Sequence, residues 1–473
     1  MTLEQTLQVI AQQQQTIAQQ ATLITALQTE LLELKRRLGL DSHNSHKPPS
    51  SDGAFAPKAK GSTKKTGKKR GGQKGHPGRF RELAPAERID EVAEMYPKHC
   101  QHCECSLGAA QEHGKVWRHQ VAELPKVRAH IMEYRMHKVR CACCGKSTRA
   151  SLPADVSPSA FGPHLKATVA ELRSVHRMSI QQVVQYLKTH WDLELSEGML
   201  CRMQWEVTEA LAGSYVQVLE VIDRSKQAHA DETPYCIEAK GAWLWVACSQ
   251  DAVGYRLCTS RSAEQAKALL GRRDKLVIRD RYGGYRDYPQ TQYCWAHLKR
   301  EWTGWSEQKG LRGFLGKKLL QCTTQMFDAL GELRAERCDV GTFQTRMKPI
   351  MNEVHRWLGV GQKASEPSLG RQCTSLLKHI DALFRFVQDP LHIPPTNNTA
   401  ERALRPAVIQ RKLSFGVQSQ SGARFIERML SVWQTCKLHG QSVLDYLEQA
   451  LKAAQLGLPS PRLLPDPQPI ALR

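Results

Sequence analysis

No apolar run in this sequence is long enough to cross a bilayer. About 18 residues are needed, and the longest stretch, "AWLWVAC" at 242–248, is strand-sized. The opening "MTLEQTLQVI" lacks the basic-then-apolar layout of a secretory signal. The 15 cysteines therefore point to reduced thiols and a metal site rather than to a disulfide framework. Acid is scarce: 46 Asp and Glu stand against 67 Lys and Arg, giving a net charge of +21 and a pI near 9.4. An excess of this size favours a polyanionic partner, most commonly nucleic acid, over an idle charged surface. With 41% hydrophobic residues the chain can build packed cores, and 473 residues leave room for roughly three domains. These features predict a cytoplasmic, DNA-associated protein with no membrane partner.

The first 40 residues carry Leu3, Ile10, Ile17, Ile24, Leu31 and Leu38 at seven-residue spacing. This is a coiled-coil seam and predicts a zipper-like dimerisation helix over 1–40, hence a homo-oligomer. Residues 41–88 read as a linker. From Gly53 to Arg81 there are ten Lys or Arg, including Lys64, Lys65, Lys68, Lys69 and Arg70, and no acid. With so few apolar residues the segment is expected to order only on DNA, the alternative being a solubilising tail or localisation signal. Cys100-x2-Cys103 and Cys141-x2-Cys144 then form two knuckles separated by alternating, hairpin-like stretches. Four thiolates converging from two turns suit tetrahedral Zn²⁺, so residues 89–152 are expected to form a zinc ribbon. His99, His102, Cys105 and Cys143 are nearby alternative ligands. Over 160–215 the period turns helical, with Leu165, Val169, Leu172 and Val175 in one stripe. A helical pair whose second member opens at Ser196 follows, and its spacing fits a helix-turn-helix-like DNA-binding domain.

Beyond residue 225 strands take over. "KQAHADETPYCI", "GAWLWVACS" and "GYRLCTS" read as a meander. A helix, a buried strand ending at Asp280, a further helix and a short fifth strand complete the order of a ribonuclease-H-like mixed sheet. Asp231 and Asp280 then lie on neighbouring strands. Facing carboxylates share a proton or bind hard cations, and Mg²⁺ prefers carboxylates plus water and phosphate oxygens. A paired-ion site for phosphoryl transfer needs a third carboxylate, for which Glu401 in "NNTAERALRP" is the candidate. Asn398 and Glu401 have capping-box spacing, and Pro406 should end or kink that helix and turn "VIQRK" toward DNA. The expected architecture is a multidomain α/β chain. A catalytic core over 220–302 and 394–430 is interrupted by a helical insertion at 303–393 and followed by a C-terminal helix and loose tail at 431–473.

The chain resembles the DDE transposases of the bacterial insertion-sequence-sixty-six family almost end to end. The resemblance rests on "SHKPPSSDG", "GGQKGHPG", the paired cysteines, "ADETP", "RDRYGGY", "CWAHLKR" and "NNTAERALRPAVIQRKLSFG". It implies a Mg²⁺- or Mn²⁺-dependent enzyme that cuts transposon ends and joins them to target DNA in the nucleoid, with accessory proteins of the same element as possible partners. Asp231, Asp280 and Glu401 carry over as the acidic triad. Cys294 and His297 match a Cys-x2-His pair of such cores, with His297 either a DNA-contacting or supporting group or a satisfied core histidine. Arg405, Arg411 and Lys412 would hold phosphates. One departure is Arg281, since the family motif usually reads Asp-Gly-Tyr; an Arg there would lower cation affinity or contact phosphate. A zinc-ribbon DNA-binding regulator without catalysis, and a nuclease of the same fold without strand transfer, are the competing functions.

Overall fold

The computed structural model describes residues 82–107, 114, 116–153 and 156–464, with part of the stretch 13–30. The chain divides into two units, Lys60–Ala129 and the remainder, Met1–Ala59 with His130–Arg473, each described by itself. Of the zipper seam, Ile17 and Ile24 are among the described residues, where both are helical and exposed. Leu3, Ile10, Leu31 and Leu38 lie outside them, as do Lys64, Lys65, Lys68, Lys69 and Arg70.

In the smaller unit the first cysteine knuckle is closed by two backbone bonds. Cys100 N–H donates to the Cys105 carbonyl at 2.9 Å and Glu104 N–H to the Cys100 carbonyl at 3.0 Å. The second knuckle, in the larger unit, repeats this pattern. Cys141 N–H reaches the Lys146 carbonyl at 2.8 Å and Gly145 N–H the Cys141 carbonyl at 2.9 Å. It caps a hairpin of β1 (Lys138–Arg140) and β2 (Ser147–Arg149). The fifth residue of each turn is left-handed, with φ 69° at Gly145 and 58° at Glu104. Only the glycine adopts that conformation freely. The alternating stretches before β1 form no strand among the described residues, contrary to expectation, and Trp117, Val121, Leu124 and Ile131 stand exposed. Alternation alone does not make a strand; a ladder needs a partner edge.

Four helices follow: α1 (Pro163–Ser174), α2 (Ile180–Trp191), α3 (Glu197–Ala210) and α4 (Ala212–Arg224). Ser179 and Gln182 make a full capping box, and Ser196 accepts from Met199 N–H at 3.3 Å, so α3 opens at the expected residue. Val169, Leu172, Val183, Leu187, Leu200 and Met203 form a small core between α1, α2 and α3.

The main sheet contains β3 (Gln227–Ile237), β4 (Lys240–Cys248), β5 (Val253–Cys258), β6 (Leu276–Arg279) and β7 (Thr291–Tyr293) in the order β5-β4-β3-β6-β7. The first three strands are antiparallel, and β6 and β7 run parallel to β3. Helix α5 (Ala263–Leu270) makes the crossover to β6, whereas only a 3₁₀ turn at Gly283–Tyr285 occurs between β6 and β7, where a helix was expected. The fold is therefore mixed α/β.

A helical insertion follows β7: α6 (Trp295–Ser306), α7 (Gly310–Arg334), α8 (Val340–Gln362), α9 (Pro367–Lys378) and α10 (Ile380–Phe384). It has its own core around Trp295, Trp302, Met326, Phe343 and Phe386. The chain then returns to the sheet through α11 (Asn398–Ser414), α12 (Gln420–Leu438) and α13 (Val443–Gln455).

Helix α12 seals the β5 edge. Glu427, Ser431 and Thr435, spaced by four, accept from the N–H groups of Leu257, Tyr255 and Val253, spaced by two, at 2.7, 2.9 and 3.1 Å. Four helical residues rise about 6 Å and two strand residues nearly 7 Å, so the periods match. An exposed edge is a liability for aggregation, and this one is closed. Of the tail expected to be loose, the described part, up to residue 464, is held. Leu463 is fully buried and its N–H donates to Gln217 Oε1 at 3.2 Å.

Candidate active site

The β3–β6 register pairs Gln227 with Leu276, Ala228 with Val277 and His229 with Ile278. Continued two residues further, the same register sets Asp231 level with Asp280, just past the end of β6. Asp280 Oδ1 accepts the Tyr282 N–H at 2.9 Å, a turn that holds the carboxylate at the strand end.

Glu401 lies in the first turn of α11. What returns α11 to the sheet is Asn397, which is fully buried. Its Nδ2 donates to the Ala230 carbonyl at 2.7 Å and its Oδ1 meets His229 Nδ1 at 3.0 Å. Its backbone N–H donates to Cys294 Sγ at 3.1 Å. The expected capping box at Asn398 is not formed. Asn397 is the N-cap, and its side chain bonds to β3 instead of capping the helix. Nor does Pro406 end the helix, since α11 continues through it to Ser414. One missing i→i−4 bond is outweighed by packing of Ala400, Ala403, Leu404 and Ala407 against the sheet, with the Tyr255 hydroxyl donating to the Ala403 carbonyl at 2.6 Å.

A fourth carboxylate joins this end of the sheet. The Glu232 side chain is only 1% exposed. It accepts from Arg261 Nε at 3.1 Å and from the Arg261 Nη2 and Tyr285 hydroxyl donors. Arg261 itself is stacked 4.2 Å from the Trp243 ring centroid and 3.7 Å from that of Tyr282. Burial first, then the charges of Glu232, Asp280 and Glu401, push the Asp231 carboxyl well above the usual range. Burial and Asp280 raise Glu232 as well, against the opposing effects of Tyr285 and Arg261. Asp280 and Glu401 are thus near enough to Asp231 for their charges to add.

Glu401 also faces α6. Its Oε1 accepts from Arg300 Nη2 at 3.1 Å and lies 3.7 Å from His297 Nδ1. One donor atom from each of Cys294, His297 and Glu401 lies within 4.8 Å of the others; Asp231 and Asp280 are not members of this group. Burial, then the neighbouring Arg300, lower the His297 pKa, against the opposing charges of Glu401 and Asp280. Arg281 pairs with Glu301 of α6.

Of the basic residues expected to meet phosphate, Arg405 is exposed and Lys412 half-buried. Arg411 instead ties α11 to β3, donating to the Thr233 hydroxyl at 3.3 Å and to the Pro234 carbonyl. Nothing in the sequence assigned roles to Asn397, Glu232, Arg261 or Arg300. The available signals were the doubled Asn before the helix and the second acid in "ADETP".

Residues 158–425 match the model of the Transposase IS66 family, a span that contains the whole sheet, the insertion and Glu401. The chain belongs to the IS66 family of transposases. Residues 4–82 match a second family, DUF6444, of unknown function. Among curated proteins, this IS66-family chain is 25% identical over 301 residues to the uncharacterized protein y4qI of Sinorhizobium fredii, covering 57% of this chain and 55% of that protein. It is 24% identical over 363 residues to the uncharacterized protein y4hP of the same organism, covering 67% and 64% respectively. The chain thus spans between half and two thirds of these relatives. Among its described residues no helix is long and apolar enough to cross a membrane.

Proposed function

We propose that this chain is a transposase that cuts DNA at transposon ends and joins them to target DNA, with Asp231, Asp280 and Glu401 as its acidic triad. The observation that carries this reading is the convergence of the three acids: a parallel register sets Asp231 level with Asp280, and Asn397 returns Glu401 to the same end of the sheet. The strand order, an antiparallel meander followed by two strands parallel to its first, supports a ribonuclease-H-like core. The donor set is all oxygen, which suits a hard divalent cation, and burial together with the charges of Glu232, Asp280 and Glu401 raises the Asp231 carboxyl. Mg²⁺ or Mn²⁺ held by these three carboxylates would supply water activation and neutralise charge on an in-line phosphoryl transfer.

The remaining work falls to the chain. Asp231 would present its oxygens from within β3 and Asp280 from just past the end of β6, and Glu232, clamped by Arg261 and Tyr285, would keep β3 in place beside Asp280. Asn397 orients α11. His297 and Arg300 stand beside Glu401, where they would contact the scissile phosphate. In cleavage, water attacks the phosphodiester and a 3′-OH leaves. In joining, that 3′-OH attacks a target phosphodiester, forming one P–O bond as another breaks. One ester is exchanged for another in the joining step, so no nucleotide energy source is needed.

DNA would be engaged by the basic segment around Lys64, Lys65, Lys68, Lys69 and Arg70, by Arg405 and Lys412, and by the exposed face of α3 with Met199, Arg202 and Trp205. The seven-residue seam would supply a dimer, and accessory proteins of the same element would join the assembly. The test is incubation of purified protein with labelled transposon-end DNA and Mg²⁺. A 3′-OH nick followed by strand-transfer product is expected, both abolished by chelator. Nicking without joining would point to a nuclease, and no cutting at any salt concentration, with DNA binding intact, to a regulator.

For Cys100, Cys103, Cys141 and Cys144 we propose structural zinc, supported by the matching backbone closure of the two knuckles. Cys103→Ser and Cys144→Ser are each expected to remove the same bound zinc, measured by metal analysis. Unchanged zinc content in both variants would overturn the assignment.

A further inference from the structure

We propose that Cys294, His297 and Glu401 form a site for a borderline-soft divalent cation such as Zn²⁺, and that filling it draws Glu401 away from Asp231 and Asp280. The inference rests on the reading of Glu401 as a triad member. Two elements build the site. Cys294 is the N-cap of α6 and His297 lies in its first turn, while Glu401 comes from the first turn of α11. Their donor atoms already lie within 4.8 Å of one another. Tetrahedral Zn²⁺, with bonds of roughly 2.0–2.3 Å, needs ligand atoms about 3.5 Å apart, a closure of about an ångström.

A second observation points to a ligand. His297 Nδ1 is buried and makes no hydrogen bond, its nearest acid being Glu401 Oε1 at 3.7 Å. Buried polar atoms are seldom left so. An imidazole nitrogen without a hydrogen-bond partner can offer its lone pair to a metal. The Cys294 sulfur accepts the Asn397 N–H at 3.1 Å, a contact that fixes it at the start of α6 facing His297 and Glu401. On binding, the Cys294 thiol releases its proton to solvent, a metal–sulfur bond forms, and a fourth position stays open for water.

Ligand chemistry then sorts the ions. One sulfur, one nitrogen and one carboxylate suit Zn²⁺ or Co²⁺, whereas Mg²⁺ favours the all-oxygen set. Because both sets use Glu401, the two sites compete. Zinc would therefore act as an inhibitor, held by residues different from those of the knuckles.

The test is equilibrium dialysis of the full-length protein against Zn²⁺, with the knuckle cysteines intact in every sample. Wild type and Asp231→Asn are expected to bind one equivalent more than Cys294→Ser and His297→Asn. Co²⁺ substitution should show a sulfur-to-metal band in wild type beyond that seen in Cys294→Ser. The half-exposed His297 keeps the test available if Cys294→Ser does not fold. Equal stoichiometry and affinity in wild type and His297→Asn overturns the site, as does loss of the extra ion in Asp231→Asn. Dialysis reads the site without DNA. A protein that takes the extra ion yet never nicks DNA would keep the zinc site and refute the transposase reading, and nicking with equal stoichiometry would do the reverse.

Discussion

Asp231→Asn is expected to lower DNA cleavage at least about a thousandfold while making the protein more stable. The catalytic loss follows from removing one ligand of the cation set, a transition-state effect of roughly 4 kcal/mol. The stability gain follows from the sign of the pKa shift. The folded-state Asp231 carboxyl is raised by burial and by Glu232, Asp280 and Glu401. A raised carboxyl contributes stability at acid pH that is lost as pH rises through its folded value. At pH 7 an ionised Asp231 therefore costs stability that the neutral amide does not. A gain of about 1–2 kcal/mol, or roughly 3–6 °C in melting temperature, is the expected scale. Asparagine retains an Oδ1 to accept the Glu232 N–H, bonded at 3.0 Å in the wild type. Millimolar Mg²⁺ should raise the wild-type melting temperature and leave the variant's unchanged. A variant that still cuts DNA, or that melts below wild type in the absence of divalent ions, would contradict this account of the site.

Asn397→Ala should be among the most damaging single changes outside the hydrophobic cores. It leaves the Ala230 carbonyl and the His229 ring nitrogen without their buried partner. At about 1–3 kcal/mol for each of the two unsatisfied groups, the loss is roughly 2–6 kcal/mol, measurable by denaturant unfolding. Cleavage should fall further than DNA binding, because the start of α11, and with it Glu401, loses its tie to β3. The pH dependence gives a second readout. Burial holds the His229 pKa down at about 4, below the ordinary value of about 6.5. A lowered histidine contributes stability that is complete above about pH 6.5 and declines as pH falls toward 4, by up to about 3 kcal/mol. His229→Gln should flatten that decline. An Asn397→Ala protein with unchanged unfolding midpoint and cleavage rate would remove Asn397 from the site.

Much of this was legible in one dimension. The segments "KQAHADETPYCI" and "GAWLWVACS" read as consecutive strands of a meander, and they are β3 and β4. The start of α3 at Ser196 was readable because capping is a local interaction between residues three apart. The family resemblance, carried by long polar blocks, is met by the match over residues 158–425.

The failures share a cause. Asn398 and Glu401 have capping-box spacing, but the side chain that matters, Asn397, is claimed by a strand 167 residues earlier. Pro406 has the local power to stop a helix, yet burial of four apolar residues around it keeps α11 continuous. In each case a long-range contact outweighed a local preference, worth about 1 kcal/mol for a cap and about 3 kcal/mol for an interior proline.

By itself, then, the sequence determined the element types, the basic character, the two cysteine knuckles and the chemical identity of the three acids. These depend on residue type and short spacing. Only the tertiary structure decided which acids meet, that Glu232 is a buried fourth carboxylate, and that Glu401 stands between a carboxylate cluster and a Cys–His pair. Those depend on strand register and on a single buried amide, and neither leaves a periodic mark on the chain.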